Sequence, residues 1–75
     1  MMTASLDIAV RFGIRLRNLR IQRGWSQEDF AAKCGLDRTY ISSIERGKRN
    51  VSLKNIEAIS VALDISITQF FAELD

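Results

Sequence analysis

Three observations predict an all-α chain of five helices. Apolar residues, the β-branched ones included, recur at helical spacing rather than in alternation. The 75 residues contain no proline, and Gly24, Gly35 and Gly47 fall between the periodic runs. A serine or aspartate stands before most of these runs, where its side-chain oxygen can accept a bond from a free backbone N–H of the first turn.

The first helix is expected from about Asp7 to Gln22. Phe12, Leu16 and Leu19 lie at i, i+4 and i+7 and form one apolar face, with Arg11, Arg15 and Arg17 largely outside it. Gly24 is placed to end this helix in a left-handed turn. The second helix starts after Ser26, which has the capping-box spacing to Asp29. Its buried stripe is Phe30, Ala31 and Cys34, and the small Ala31 allows a close helix crossing. Gly35 supplies the turn. The third helix starts after Asp37, with Ile41 and Ile44 facing inward and Arg38, Thr39, Ser42 and Ser43 on the outer face. Gly47 closes it. Ser52 caps a fourth helix carrying Leu53, Ile56, Ile59 and Leu63. Ser66 with Gln69 repeats the capping box for a short fifth helix, Ile67 to about Leu74.

A chain of this length makes one domain, residues 1–75 with a core from 11 to 71, and its small core favours pairing with a second copy. With 47% hydrophobic and 27% charged residues it reads as folded. Having no histidine and only Cys34 as a thiol, it has neither a disulfide nor a zinc ligand set, so no cofactor or metal is expected. Enzymatic catalysis would need a nucleophile, an acid–base pair or a metal in a cleft, and this chain offers poor material for any of them. The N-terminus has no basic segment followed by an apolar run, and nothing approaches the roughly 20 apolar residues of a membrane span. A cytoplasmic protein is expected, with no membrane partner and no small-molecule ligand. Residues 1–54 hold all eleven Lys and Arg against five acids, a net charge of +6, whereas residues 55–75 hold four acids and no base. A basic body with an acidic tail suits a phosphate-bearing partner.

The stretch Ser26–Gly47, SQEDFAAKCGLDRTYISSIERG, gathers two capped helices, a glycine turn and a polar, basic outer face. A helix pair of this shape fits the DNA major groove. Arg38 opens the second of the pair, and its guanidinium fork matches guanine O6 and N7; a phosphate contact is its alternative role. Tyr40 can stack on a sugar or base step, or pack on the first helix. Arg46, Lys48, Arg49 and Asn50 follow as a cationic, polar loop suited to phosphate.

Residues 11–71, and in particular LRxxRGWSQEDFA and ISSIERGKR, resemble the Cro/C1-type (XRE-like) helix-turn-helix family of phage repressors and bacterial regulators, whose fold is the five-helix lambda-repressor-like DNA-binding domain. Within it, LDRTYISSIERGKRN looks most like the controller proteins of restriction–modification systems. The resemblance implies a small homodimer that binds palindromic operators and activates or represses its own gene and the endonuclease gene. It places Thr39, Ser42 and Ser43 with Arg38 and Tyr40 at base-reading positions, and Ser26 and Gln27 at a DNA phosphate, where Gln27 also braces the recognition helix. It makes Arg20 and Glu45 an internal salt bridge. The C-terminal apolar residues Ile65, Ile67, Phe70, Phe71 and Leu74 become the dimer interface, and Glu28 becomes a contact for RNA polymerase. Trp25 reads as a cover on the core and Cys34 as a buried, inert thiol. A prophage-type repressor, or an antitoxin of the same fold acting through a protein partner, is the other reading; such antitoxins usually carry a further partner-binding segment.

Overall fold

Each helix begins where a side chain satisfies an otherwise unpaired N–H. A computed structural model describes residues 6–74 and contains α1 (Ile8–Gln22), α2 (Gln27–Cys34), α3 (Arg38–Glu45), α4 (Leu53–Leu63) and α5 (Ile67–Ala72). Asp7 accepts from the Ala9 N–H, Asp37 from Thr39 and Ser52 from Asn55. Ser26 with Asp29, and Ser66 with Gln69, form complete capping boxes in which each partner bonds the other's backbone. No helix among the described residues is long and apolar enough to cross a membrane.

Four of the five helices end on a left-handed residue whose following N–H reaches back to an orphan carbonyl. After α1, α2 and α3 that residue is Gly24, Gly35 or Gly47. After α4 it is Asp64, at φ 58°, which pays the Cβ penalty a glycine avoids. Gly47 has a second reason to be glycine. At φ 73° it lies against Val10 of α1, and a Cβ there would sit 2.8 Å from Val10 Cγ2.

The core is built from one stripe per helix: Phe12, Leu16 and Leu19 from α1, Phe30 and Ala31 from α2, Ile41 and Ile44 from α3, Ile59 and Leu63 from α4, and Phe70 from α5. Each large side chain buried in this way stabilises the fold by about 1.5–3 kcal/mol. Phe12 and Phe70 pack ring to ring at 4.7 Å, which ties the last helix to the first. α1 meets the end of α3 at Gly13. A Cβ on Gly13 would collide with the carbonyl oxygen of Ile44 and come within 3.0 Å of that of Glu45. The end of α3 therefore rests directly on the backbone of α1.

Several placements differ from the sequence reading. Leu53 is 84% exposed; it opens α4 one turn before the helix meets the core. The inward stripe there is Ile56, Ile59, Ser60 and Leu63, and Ser60 carries its hydroxyl into the interior with no hydrogen-bond partner among the described residues. Cys34 is half-buried rather than enclosed. Arg15 and Arg23 have structural work. Arg15 donates from Nε to the carbonyl of Phe70 (2.9 Å) and from Nη2 to that of Gln69 (3.0 Å), with its guanidinium over the Phe70 ring. Arg23 donates to the Leu63 carbonyl at the end of α4 (2.8 Å). Cations near helix C-terminal carbonyls are favourable by charge and by hydrogen bonding. Part of the basic excess is thus spent inside the molecule.

Candidate nucleic-acid interface

The α2–turn–α3 unit is set rigidly on α1 by a chain of polar contacts. Arg20 of α1 grips the carboxylate of Glu45 at both oxygens, Nε to Oε2 at 2.6 Å and Nη2 to Oε1 at 3.0 Å. The two side chains are only 11% and 3% exposed. The remaining donor at Nη1 goes to the Trp25 carbonyl at 2.8 Å. The hydrogen bond to Glu45 raises the pKa of Arg20 against the opposing effect of burial. The pair is the internal salt bridge the resemblance implied.

Gln27, in the first turn of α2, extends this chain outward. Its amide Nε2 donates to Glu45 Oε1 at 3.0 Å, and its Oε1 accepts from Arg38 Nη1 at 3.3 Å. Glu45 therefore holds Gln27, and Gln27 holds the first side chain of α3. This bracing was expected of Gln27 on α3; that its amide also meets Glu45 and Arg38 is visible only once the turn brings α2 and α3 together. Ser26 uses its hydroxyl oxygen on the Asp29 N–H, so it acts as a cap here.

On α3, Arg38 and Thr39 are exposed and Ser42 half-exposed. The spacing of Arg38, Ser42 and Arg46 puts them along one side of the helix, away from the buried Ile41 and Ile44. The Thr39 hydroxyl donates to Asp37 Oδ1 at 2.9 Å. The Asp37 carboxyl is held below its ordinary range, first by the Thr39 backbone N–H, then by that hydroxyl, with the Arg38 charge adding to it. Arg46, Lys48, Arg49 and Asn50 are exposed after α3. Glu28 is exposed in the first turn of α2.

Two residues of the expected base-reading face are engaged by other parts of the chain. Ser43 is 7% exposed, because at this position α3 turns toward the following loop. Its hydroxyl donates to the Tyr40 carbonyl at 2.8 Å and accepts from Arg49 Nε at 2.9 Å. Tyr40 is half-buried against the core. Its hydroxyl accepts from Asn55 Nδ2 of α4 at 3.1 Å, and the Arg49 guanidinium lies over its ring at 5.3 Å. α4 and the loop hold it, a third placement beside the two the sequence left open.

At the C-terminal end, Phe70 is fully buried in the chain's own core and has no surface to offer a second copy. Ile65, Phe71 and Leu74 are half-buried against that core, and Ile67 is 46% exposed. The most exposed large apolar residues on the same elements are Leu53 and Val61 of α4. Leu53, Ile56, Ile67 and Phe71 line a cleft of about 390 Å³ between α4 and α5.

Trp25 covers the edge of the core, stacked on Phe30 at 5.9 Å with Lys33 Nζ 4.7 Å from its ring centre. Burial pushes the Cys34 thiol up to about 11, which leaves it protonated and unreactive near neutrality.

A capped helix pair joined by a glycine turn, with its second helix presenting Arg38 and Thr39 outward, defines a helix-turn-helix domain. A helix-turn-helix family profile matches residues 16–70. The control protein C.MunI from Mycoplasma sp is 53% identical over 70 residues, spanning 92% of this chain and 95% of that one. The crystal structure of the restriction-modification controller protein C.AhdI from Aeromonas hydrophila superposes with a TM-score of 0.81 at 52% identity, covering 84% of this chain and 96% of the other. The controller protein C.Esp1396I, crystallised as a tetramer in complex with its natural 35 base-pair operator, superposes at 0.85 with 39% identity over 92% of this chain and 91% of that one. The chain belongs to the helix-turn-helix family, in the branch that holds these restriction-modification controller proteins.

Proposed function

We propose that this chain is a single-domain, sequence-specific DNA-binding regulator of transcription. It acts as a homodimer on palindromic operators and works as a restriction–modification controller that activates or represses its own gene and the endonuclease gene. The observation that carries this reading is the braced first turn of α3: Arg38 is exposed, yet joined through Gln27 to the buried Glu45–Arg20 pair. A base-reading side chain needs this combination of access and fixed origin. The naming of relatives such as C.MunI as control proteins supports it.

In this reading Arg38 and Thr39 read base edges, with Ser42 and the Tyr40 hydroxyl at the margin of the groove. Gln27, Arg46, Lys48, Arg49 and Asn50 meet phosphates and set register without reading sequence. The second copy docks over the apolar cleft of Leu53, Ile67 and Phe71, extended by Ile65 and Leu74, and this places two α3 helices about 34–36 Å apart on successive turns of the groove. Glu28 is available to RNA polymerase. The protein acts in the cytoplasm by binding rather than catalysis.

Selection of bound sites from a random duplex pool, read by sequencing, tests this function. The expected result is a palindrome with half-sites about one helical turn apart, and two adjacent palindromes upstream of its own gene for the controller role. Absence of any enriched sequence would overturn it.

A further inference from the structure

Ser43 matches a groove-facing position by sequence, yet its hydroxyl is enclosed and points to the loop. We propose that Ser43 is a positioning residue that presets Arg49 for its DNA contact; the inference rests on the DNA-binding reading above. The Ser43 hydroxyl has one proton, and that proton is committed to the Tyr40 carbonyl at 2.8 Å. The oxygen is therefore oriented to accept, and it accepts Nε of Arg49 at 2.9 Å. The same guanidinium is flanked by the Tyr40 ring at 5.3 Å, and Asn55 holds that ring in turn through the tyrosine hydroxyl. Arg49 is thus fixed at its inner nitrogen and across one face. Among the described residues, neither of its terminal nitrogens has an acceptor. Those two nitrogens are the edge that pairs with a phosphate or a base.

Arginine side chains lose several rotamers on binding, and an immobilised long side chain typically costs about 0.5–1.5 kcal/mol. Here much of that ordering is done in the free protein. Among the described residues Lys48 and Arg46, both exposed, have no comparable tether, so the loop combines one preset cation with others that order on contact. A serine at position 43 serves this purpose because it is small enough for the helix–loop junction and has an oxygen that can both donate and accept.

The test is a double-mutant cycle in the full chain. Wild type, Ser43→Ala, Arg49→Ala and the double variant are titrated against the duplex recovered by random-pool selection, at several KCl concentrations. Alanine at position 43 suits a helix, and urea melts of each variant fix the folded fraction. The expected loss for Ser43→Ala from the ordering cost alone is about three- to tenfold per subunit, hence about ten- to a hundredfold in the affinity of the dimer. That loss disappears in the Arg49→Ala background. The salt dependence also separates the roles: Arg49→Ala lowers the log–log slope of the dimer by about 1.8, the value of one phosphate contact in each subunit, whereas Ser43→Ala leaves it unchanged. Additive losses, or a Ser43→Ala protein that binds like wild type, overturn the inference while leaving DNA binding intact. A wild-type protein that binds no duplex overturns the DNA-binding reading and the inference with it.

Discussion

Removing the Glu45 carboxylate isolates what the buried Arg20–Glu45 pair contributes. In the native protein that carboxylate accepts two bonds from Arg20 and one from Gln27, at 2.6, 3.0 and 3.0 Å. Glu45→Ala leaves Arg20 with the Trp25 carbonyl alone, on a side chain only 11% exposed. An uncompensated buried charge of this kind costs about 3–5 kcal/mol. A domain of 75 residues has on the order of 4–11 kcal/mol in total, so the variant loses about a quarter or more of its stability. Urea denaturation of wild type, Glu45→Ala, Glu45→Gln and the apolar pair Arg20→Met/Glu45→Leu measures it. Glu45→Gln keeps a hydrogen-bonding oxygen without the charge and should fall between wild type and alanine. The apolar pair should be less damaged than the alanine variant, because no charge is left buried. DNA affinity should fall in Glu45→Ala through the lost folded fraction and, in the molecules that remain folded, through release of the Gln27 brace on Arg38. A Glu45→Ala protein within 1 kcal/mol of wild type would refute the reasoning, since it would mean that water or another acceptor takes over the guanidinium.

Four further outcomes follow from the structure. Gly13→Ala should destabilise by about 1–3 kcal/mol despite alanine's better helix propensity, because its Cβ meets a backbone carbonyl that cannot rotate away; a thermal melt decides it. Arg38→Ala should relax preference at one or two base pairs by about 1–3 kcal/mol, whereas Lys48→Ala should weaken all duplexes alike, and equal losses on every sequence for both would remove Arg38 from base reading. Asp64→Gly should stabilise by about 1 kcal/mol by relieving the left-handed strain, and Asp64→Asn should stabilise less by removing a negative charge from the C-terminal end of α4; an unchanged midpoint for both would show that position 64 is unstrained. Asp37 has a depressed folded pKa, so its contribution is present above the unfolded value of about 3.9 and is lost as pH falls through the folded one. Wild type should therefore lose more stability than Asp37→Asn between pH 5 and pH 3, and parallel pH profiles would count against the cap.

Most of the architecture was legible because it rests on local chemistry. The caps at Ser26, Asp37, Ser52 and Ser66, the left-handed glycines and the stripe of Phe12, Leu16 and Leu19 depend on neighbours within a turn or two. Spacing alone therefore exposes them. Arg38 and Thr39 are outward for the same reason. The Arg20–Glu45 pair spans 25 positions and was legible only through resemblance, since no local pattern links the two.

What the sequence determined by itself was the set of five helices, their caps and turns, and the polar face of α3, all short-range consequences of periodicity and hydrogen bonding. The tertiary structure alone decided which polar groups are spent indoors. Ser43 and Ser42 are adjacent serines with the same chemistry, and only the path of the loop after Gly47 buries one and leaves the other half-exposed. Phe70 and Phe71 are adjacent phenylalanines, and only the docking of α5 against Phe12 sends the first into the core. Arg15 and Arg23 look like surface cations until helix ends from 40 or more residues away arrive at their guanidinium groups. Burial is a property of the assembled neighbours, and neighbours distant in the chain leave no periodic mark on it.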